Sequence, residues 1–166
     1  KKDRKRHILV QELPHRPESF IHLDMVFTML DKDKCMVYEP AVLSHNKFQT
    51  VRISLDNGKV TSIREEKNIL DILSKLGLPL DPVFCGGRKD SWVQEREQWH
   101  SGANFFSLAP GQVIGYGRNE HTIAGIEHMF FTIQIEFHAP ADYPGDLLVR
   151  MVMLRDDRAG LKVDKG

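Results

Sequence analysis

The chain has 166 residues, 41% apolar and 28% charged, with 23 basic and 23 acidic side chains that cancel to a formal net charge of zero. That length suits one domain, residues 1–166, with room for a real core, and the neutral balance argues against nucleic-acid or membrane-surface partners. No apolar run could span a bilayer and nothing resembles a signal peptide, while two cysteines in a domain of this size imply free thiols in a reducing compartment, so a cytoplasmic location is expected.

The chain opens on Lys1 rather than Met, which leaves open whether it is a fragment. Its first six residues are a basic run, the composition of a solvated tail. Residues 7–13 are a short apolar run ending at Pro14, a strand, and residues 14–19 a loop. Residues 20–30 alternate and predict a β-strand. Ile21, Leu23, Met25, Phe27 and Met29 would share one face; His22, Asp24, Val26 and Thr28 would share the other. On such a strand His22 and Asp24 stand side by side, roughly 6–7 Å apart. An imidazole and a carboxylate so placed suit one proton-shuttling and one charge-binding group reaching a single small ligand. The plainer alternative is the wet face of a sheet. A tight polar connection at 31–34 then leads into a returning antiparallel strand at 35–38.

Residues 48–55 and 59–63 flank Asn57-Gly58, a dipeptide that favours the two-residue hairpin turn. Ser62 and Glu65 have the spacing of a capping box. The helix expected after it buries Ile69, Leu70, Ile72, Leu73 and Leu76 and stops at Gly77 in a left-handed cap. Pro79 and Pro82 prevent its continuation. Residues 81–85 read as a strand ending in Cys85-Gly86-Gly87, and 91–99 as a short helix. Strands are expected at 103–109 and 112–116, joined through Pro110-Gly111. Residues 120–128 are weakly helical, 129–138 and 147–154 are strands, and 155–166 a frayed tail. Antiparallel strands with interspersed helices indicate an α+β fold.

Other side chains invite chemical readings. Cys85 precedes two glycines whose amides could lower its pKa. Cys35 lies across the hairpin from residues 20–30, though as a small apolar residue it equally suits a core. Arg96, Glu97, Gln98 and Trp99 read best as a structural hydrogen-bonded network at a junction. Asn104 would point with Phe106 and Leu108, either fixing the strand or touching a substrate. The histidines show no metal-ligand spacing, and no metal is expected.

Two stretches resemble a known family. His22-Leu23-Asp24 followed by Val26-Phe27-Thr28-Met29 resembles the H-L-D-T-V-F-T-M segment of the arginine deiminases, guanidino-group-modifying enzymes of the pentein superfamily. Arg96-Glu97-Gln98-Trp99, Gly102-Ala103-Asn104, Leu108-Ala109-Pro110-Gly111 and Tyr116-Gly117-Arg118-Asn119 resemble that family's R-E-Q-W-x-D-G-x-N…L-A-P-G…Y-D-R-N run. The likeness covers roughly residues 8–122 and not the last forty or so. It implies a partial pentein-like propeller of ββαβ modules, with this chain holding the C-terminal ones.

It also implies hydrolysis of arginine's guanidinium to citrulline and ammonia through a thiol-linked intermediate, without cofactor. By resemblance His22 is the general acid/base and Asp24 the carboxylate that grips the guanidinium. The family's nucleophile lies in a C-terminal G-G-x-R-C-M-x-M-P motif. The local counterpart here is Arg150-Met151-Val152-Met153 with Pro144-Gly145 upstream, and no cysteine follows Cys85. A thioether cannot form a thiolate, so Met151 is no substitute. Cys85 and Cys35 are the remaining thiols. Three readings stay open: an arginine deiminase-like protein or fragment, a catalytically inactive pentein-like ligand-binding or interaction module, and an amidinotransferase or agmatine-type relative. An incomplete propeller would expose strand edges and apolar surface, so a homo-oligomer is expected.

Overall fold

A computed structural model describes residues 5–43 and 48–127 in full, and residues 131–138 and 148–155 as backbone strands. The expected tail lies outside these residues, apart from Arg155.

In chain order the elements are β1 (Arg6–Gln11), two 3₁₀ turns (Glu18–Phe20 and Leu23–Met25), β2 (Phe27–Met29), β3 (Lys34–Val37) and a short α1 (Glu39–Val42). There follow β4 (Thr50–Asp56), β5 (Lys59–Glu66), α2 (Ile69–Lys75), β6 (Asp81–Phe84), α3 (Ser91–Trp99), β7 (Phe106–Ala109), β8 (Gln112–Tyr116), α4 (Glu120–Glu127), β9 (Phe131–His138) and β10 (Leu148–Arg155). The fold is α+β, as the sequence predicts.

The core forms around the sheet β2-β3-β6. β2 and β3 make an antiparallel hairpin, and β6 returns parallel to β3 after α2. This is one strand–strand–helix–strand unit. β3 is central and apolar through Cys35, Met36 and Val37, all fully buried. Ile69 and Ile72 of α2 and Ile126 of α4 are buried, and α4 lies against β6. The order begins again with β7, β8, α4 and β9, but β10 sits between β8 and β9 and runs antiparallel to both. The third sheet, β1-β4-β5, is antiparallel throughout.

Local turn chemistry behaves as read. Asn57 and Gly58 both adopt positive φ, 49° and 74°, the conformation that joins twisted strands in two residues. Gly77 closes α2 with φ 89°. Two expectations are corrected. The capping box fails because Ser62 and Glu65 belong to β5, which stays paired with β4 as far as Glu66. The true cap is Asn68, whose side chain accepts the Asp71 N–H at 2.8 Å, and Leu76 turns outward.

The larger correction concerns residues 20–30, of which only Phe27–Met29 is strand. The 3₁₀ turns coil the segment before it, so the faces expected from alternation do not exist. Val26, assigned to the wet face, is fully buried, while Ile21, assigned to the apolar face, is 68% exposed.

Candidate functional site

His22 and Asp24 project from a turn rather than a strand. His22 stands in extended conformation immediately before the 3₁₀ turn Leu23–Met25, and Asp24 lies within it. Both are exposed. The turn is held from beneath by Gln98 of α3, which is buried. Its Nε2 donates to the Ser19 carbonyl at 2.7 Å and to the Met25 carbonyl at 3.3 Å. One amide therefore grips both ends of the segment that presents His22 and Asp24. The Asp24 carbonyl also accepts from the Thr28 hydroxyl at 3.3 Å.

Asn104 completes the group. It precedes β7 rather than lying within a strand, and its Nδ2 donates to Asp24 Oδ2 at 3.3 Å and lies 3.8 Å from Met25 Sδ. Asn104 therefore fixes no strand, and its amide stands instead against the candidate carboxylate. The result is an imidazole and an amide-braced carboxylate on one anchored turn. A carboxylate of this kind can accept paired N–H donors from a planar cation.

α3 owes its position to both ends. Asp90 caps it, accepting the Trp92 and Val93 N–H groups at 2.9 and 3.4 Å. Glu97, 1% exposed, accepts the His121 and Thr122 N–H groups at 3.0 and 2.8 Å and the Thr122 hydroxyl at 2.7 Å. These donors begin α4, where unpaired N–H groups and the helix dipole favour an anion. The network expected of residues 96–99 is thus carried by Glu97 and Gln98, with Arg96 donating to Glu97 Oε1 at 3.2 Å; Trp99 is exposed. Gly102 allows close packing here, since a Cβ there would stand 2.7 Å from the Glu97 carbonyl and 2.8 Å from Cys85 Sγ.

The two cysteines sit in the core. Cys35 is on β3, opposite Met29 and Pro82. Burial pushes its thiol up to about 12, with the charge of Asp81 adding. Cys85 follows β6, and burial likewise pushes its thiol up to about 12; the Thr122 hydroxyl opposes this and the charge of Glu97 adds to it. The glycine amides expected to lower the Cys85 pKa are engaged elsewhere. Gly86 N–H donates to Thr122 Oγ1 at 2.8 Å and Gly87 N–H to the Phe84 carbonyl at 2.9 Å.

The anchoring role of Gln98 escaped sequence reasoning, because its partners lie 79 and 73 residues away and leave no local trace. Its place between Glu97 and Trp99 in a resembling motif is the available signal. Among the described residues, no three His, Cys, Asp or Glu side chains stand together as a metal site. No described helix is long and apolar enough to cross a membrane.

Comparison with known proteins matches residues 1–138 to the family model described as arginine deiminase. The match reaches further than the motifs alone, to the end of β9. An arginine deiminase of Listeria innocua is 40% identical over 116 residues, which are 68% of this chain and 27% of that protein. One from Streptococcus pyogenes is 37% identical over 111 residues, 65% of this chain and 26% of that protein. One from Listeria monocytogenes is 38% identical over 117 residues, 68% and 27% of the two lengths. The matched stretch spans about a quarter of the length of these relatives.

Proposed function

The chain belongs to the arginine deiminase family, and from that premise we propose that it is the part of an arginine-hydrolysing enzyme that supplies the proton shuttle and one guanidinium-binding carboxylate. The observation that carries this reading is the turn anchored by Gln98, with Asp24 braced by Asn104 and His22 two residues before it. Asp24 would accept N–H donors of the guanidinium. His22 would protonate departing ammonia and then take a proton from the incoming water. The unit β2-β3-α2-β6 serves as one ββαβ module of a pentein-like arrangement, and the enzyme acts in the cytoplasm on free arginine.

The attacking thiolate comes from neither Cys35 nor Cys85, because a thiol with a pKa of about 12 keeps its proton at neutral pH. The longer enzyme supplies it. The thiolate adds to the guanidinium carbon, ammonia leaves protonated, and water releases citrulline and restores the thiol.

Calorimetry with arginine on the purified chain tests the binding step. Heat that saturates and disappears in Asp24→Asn is expected. Citrulline should form with the longer enzyme and not with this chain alone. A longer enzyme that makes no citrulline would remove the proposal.

A second reading rests on the buried thiols: a guanidino-binding or interaction module without turnover. It predicts arginine binding by the longer protein with no citrulline formed.

A further inference from the structure

The connection from α3 to β7 meets the site at both ends. Gln98 grips the turn from beneath, and Asn104 braces Asp24. The stretch between them is itself held. Asn119 Nδ2 donates to the His100 carbonyl at 3.0 Å, and the Asn104 N–H to the Ser101 carbonyl at 3.1 Å. Ala103 and Phe105 are both buried, 0% and 6% exposed. Asn104 thus stands between two core residues and turns the other way, towards Asp24. Where side chains alternate in this manner, the middle one is aimed by what holds its neighbours in.

Phe105 is held by a space on β8. β7 and β8 pair Phe106 with Ile114 and Ser107 with Val113, so Phe105 falls next in line, across from Gly115. Gly115 is buried and is not among the positive-φ glycines, so its backbone conformation does not require glycine. The ring does. A Cβ there would overlap Phe105 Cε1 and stand 2.7 Å from Cδ1. β8 is an inner strand, paired to β10 on its other edge, where Gly115 lies opposite Val152. The floor under the ring is therefore fixed from both sides. An aromatic ring laid over a cross-strand glycine pins strand register.

We infer that Phe105 and Gly115 are positioning residues: the ring seated on the glycine aims the Asn104 amide, and through it the Asp24 carboxylate that receives the guanidinium. The ligand of that carboxylate rests on the deiminase reading; the seating of the amide does not. Both residues lie between the segments that carry the family resemblance, so the motif singles out Asn104 without the pair that aims it.

NMR of the Asn104 side-chain amide gives a readout that needs no ligand, its resonance being the one that Asn104→Ala removes. Asp24→Ala should move it, since it reports the bond. Gly115→Ala should move it too, because the added Cβ displaces the ring. Phe105→Val removes the ring without adding an atom and should also move it; should Gly115→Ala not fold, this variant carries the comparison. Gly58→Ala, in the β4–β5 turn where a Cβ meets nothing within 4 Å, costs stability without touching the pair and should leave the resonance in place. In calorimetry, Gly115→Ala should weaken arginine binding roughly tenfold. In an Asn104→Ala background it should weaken it less than about twofold, since both act through one contact. A resonance that Asp24→Ala leaves in place, one that neither pair variant moves, one that Gly58→Ala moves equally, or fully additive losses of affinity would each overturn the inference. A parent chain that binds no arginine would instead remove the deiminase reading, and the amide resonance would still decide the seating.

Discussion

Asn104 donates a hydrogen bond to the Asp24 carboxylate at 3.3 Å, across 80 residues of chain. The bond ties the segment leading into β7 to the turn before β2, so two separate parts of the sequence define one carboxylate's orientation. Hydrogen bonds to charged groups are the stronger class, and preorienting a carboxylate lessens what a cationic ligand must order on binding. Asn104→Ala should lower arginine affinity about tenfold while moving the urea midpoint little, because the bond is solvent-exposed. Calorimetry checks the first and urea unfolding the second. Unchanged affinity would separate Asn104 from the site.

Gln98 has the opposite balance. Its amide is buried, and both acceptors belong to the backbone of the site turn. Gln98→Leu keeps most of the volume but leaves two carbonyls without their donor, at about 1–3 kcal/mol of stability. Urea unfolding should show that loss. Hydrogen exchange should quicken at Met25 and Val26, whose amides close the turn onto the His22 and Leu23 carbonyls. Gln98→Glu should be worse at neutral pH, where a carboxylate faces two carbonyl oxygens, and should recover relative to the parent chain on acidification as the carboxyl gains a proton to donate.

These contacts explain where the sequence was readable. The Asn57-Gly58 turn, α3 from Ser91 to Trp99 and the Gly77 stop depend on neighbours a few residues away, and pattern captures them. Residues 20–30 satisfied a strand template because apolar residues fell at alternate positions. What decides their conformation is Gln98 reaching Ser19 and Met25 from α3, and alternation carries no information about that. β5 likewise runs through the apparent capping box because β4 pairs with it to Glu66. Composition could assign the cysteines to a core or a site; only the burial of Cys35 and Cys85 chooses between them. The candidate residues stand out by motif, but the geometry that joins Asp24 to Asn104 does not.

Glu97 is acceptor-only, and four donors use it, the Arg96 guanidinium reaching Oε1 at 3.2 Å among them. One oxygen receives the His121 N–H and the Arg96 guanidinium; the other receives the Thr122 N–H and hydroxyl. Glu97→Gln is nearly isosteric but turns one acceptor into an NH₂ group that faces a donor. We expect about 2–3 kcal/mol of destabilisation from the lost charge-assisted bonds and the opposed donors, read from urea unfolding. A smaller change would mean that α4 begins equally well without an anion at its N-terminus.

Gly86 and Gly87 form a matched pair for separating strain from overlap. Both adopt positive φ, 70° and 73°. A Cβ on Gly86 would stand 2.5 Å from the Gln94 Cα, whereas one on Gly87 meets nothing within 4 Å. Gly87→Ala should cost about 1 kcal/mol, the conformational term alone. Gly86→Ala must also push α3 away, and with it the Gln98 anchor. It should cost about 3 kcal/mol or more and weaken arginine binding as well. Equal losses in the two variants would show that α3 yields freely.

Alkaline stability reports on the buried thiols. Cys35 and Cys85 hold their protons up to about 12 in the folded chain, against an ordinary thiol value of 9.0. Below pH 9 both states are protonated and the full stability is present. Between those values the unfolded chain releases protons that the folded chain keeps, so it binds fewer and stability falls as pH rises. The slope is about 1.4 kcal/mol per pH unit for each thiol. Tyr38 adds to the fall above pH 10, its phenol pushed up by burial first and then by the charges of Glu95 and Cys85. Urea midpoints at pH 8, 9.5 and 10.5 should therefore decline steeply, and Cys35→Ala/Cys85→Ala, though less stable at pH 8, should decline with a shallower slope. Thiol reagents should label neither cysteine in the native chain at pH 8 and both in urea. An undiminished alkaline slope in the thiol-free variant would assign the loss to other groups, and rapid native labelling would show that one thiol leaves the core.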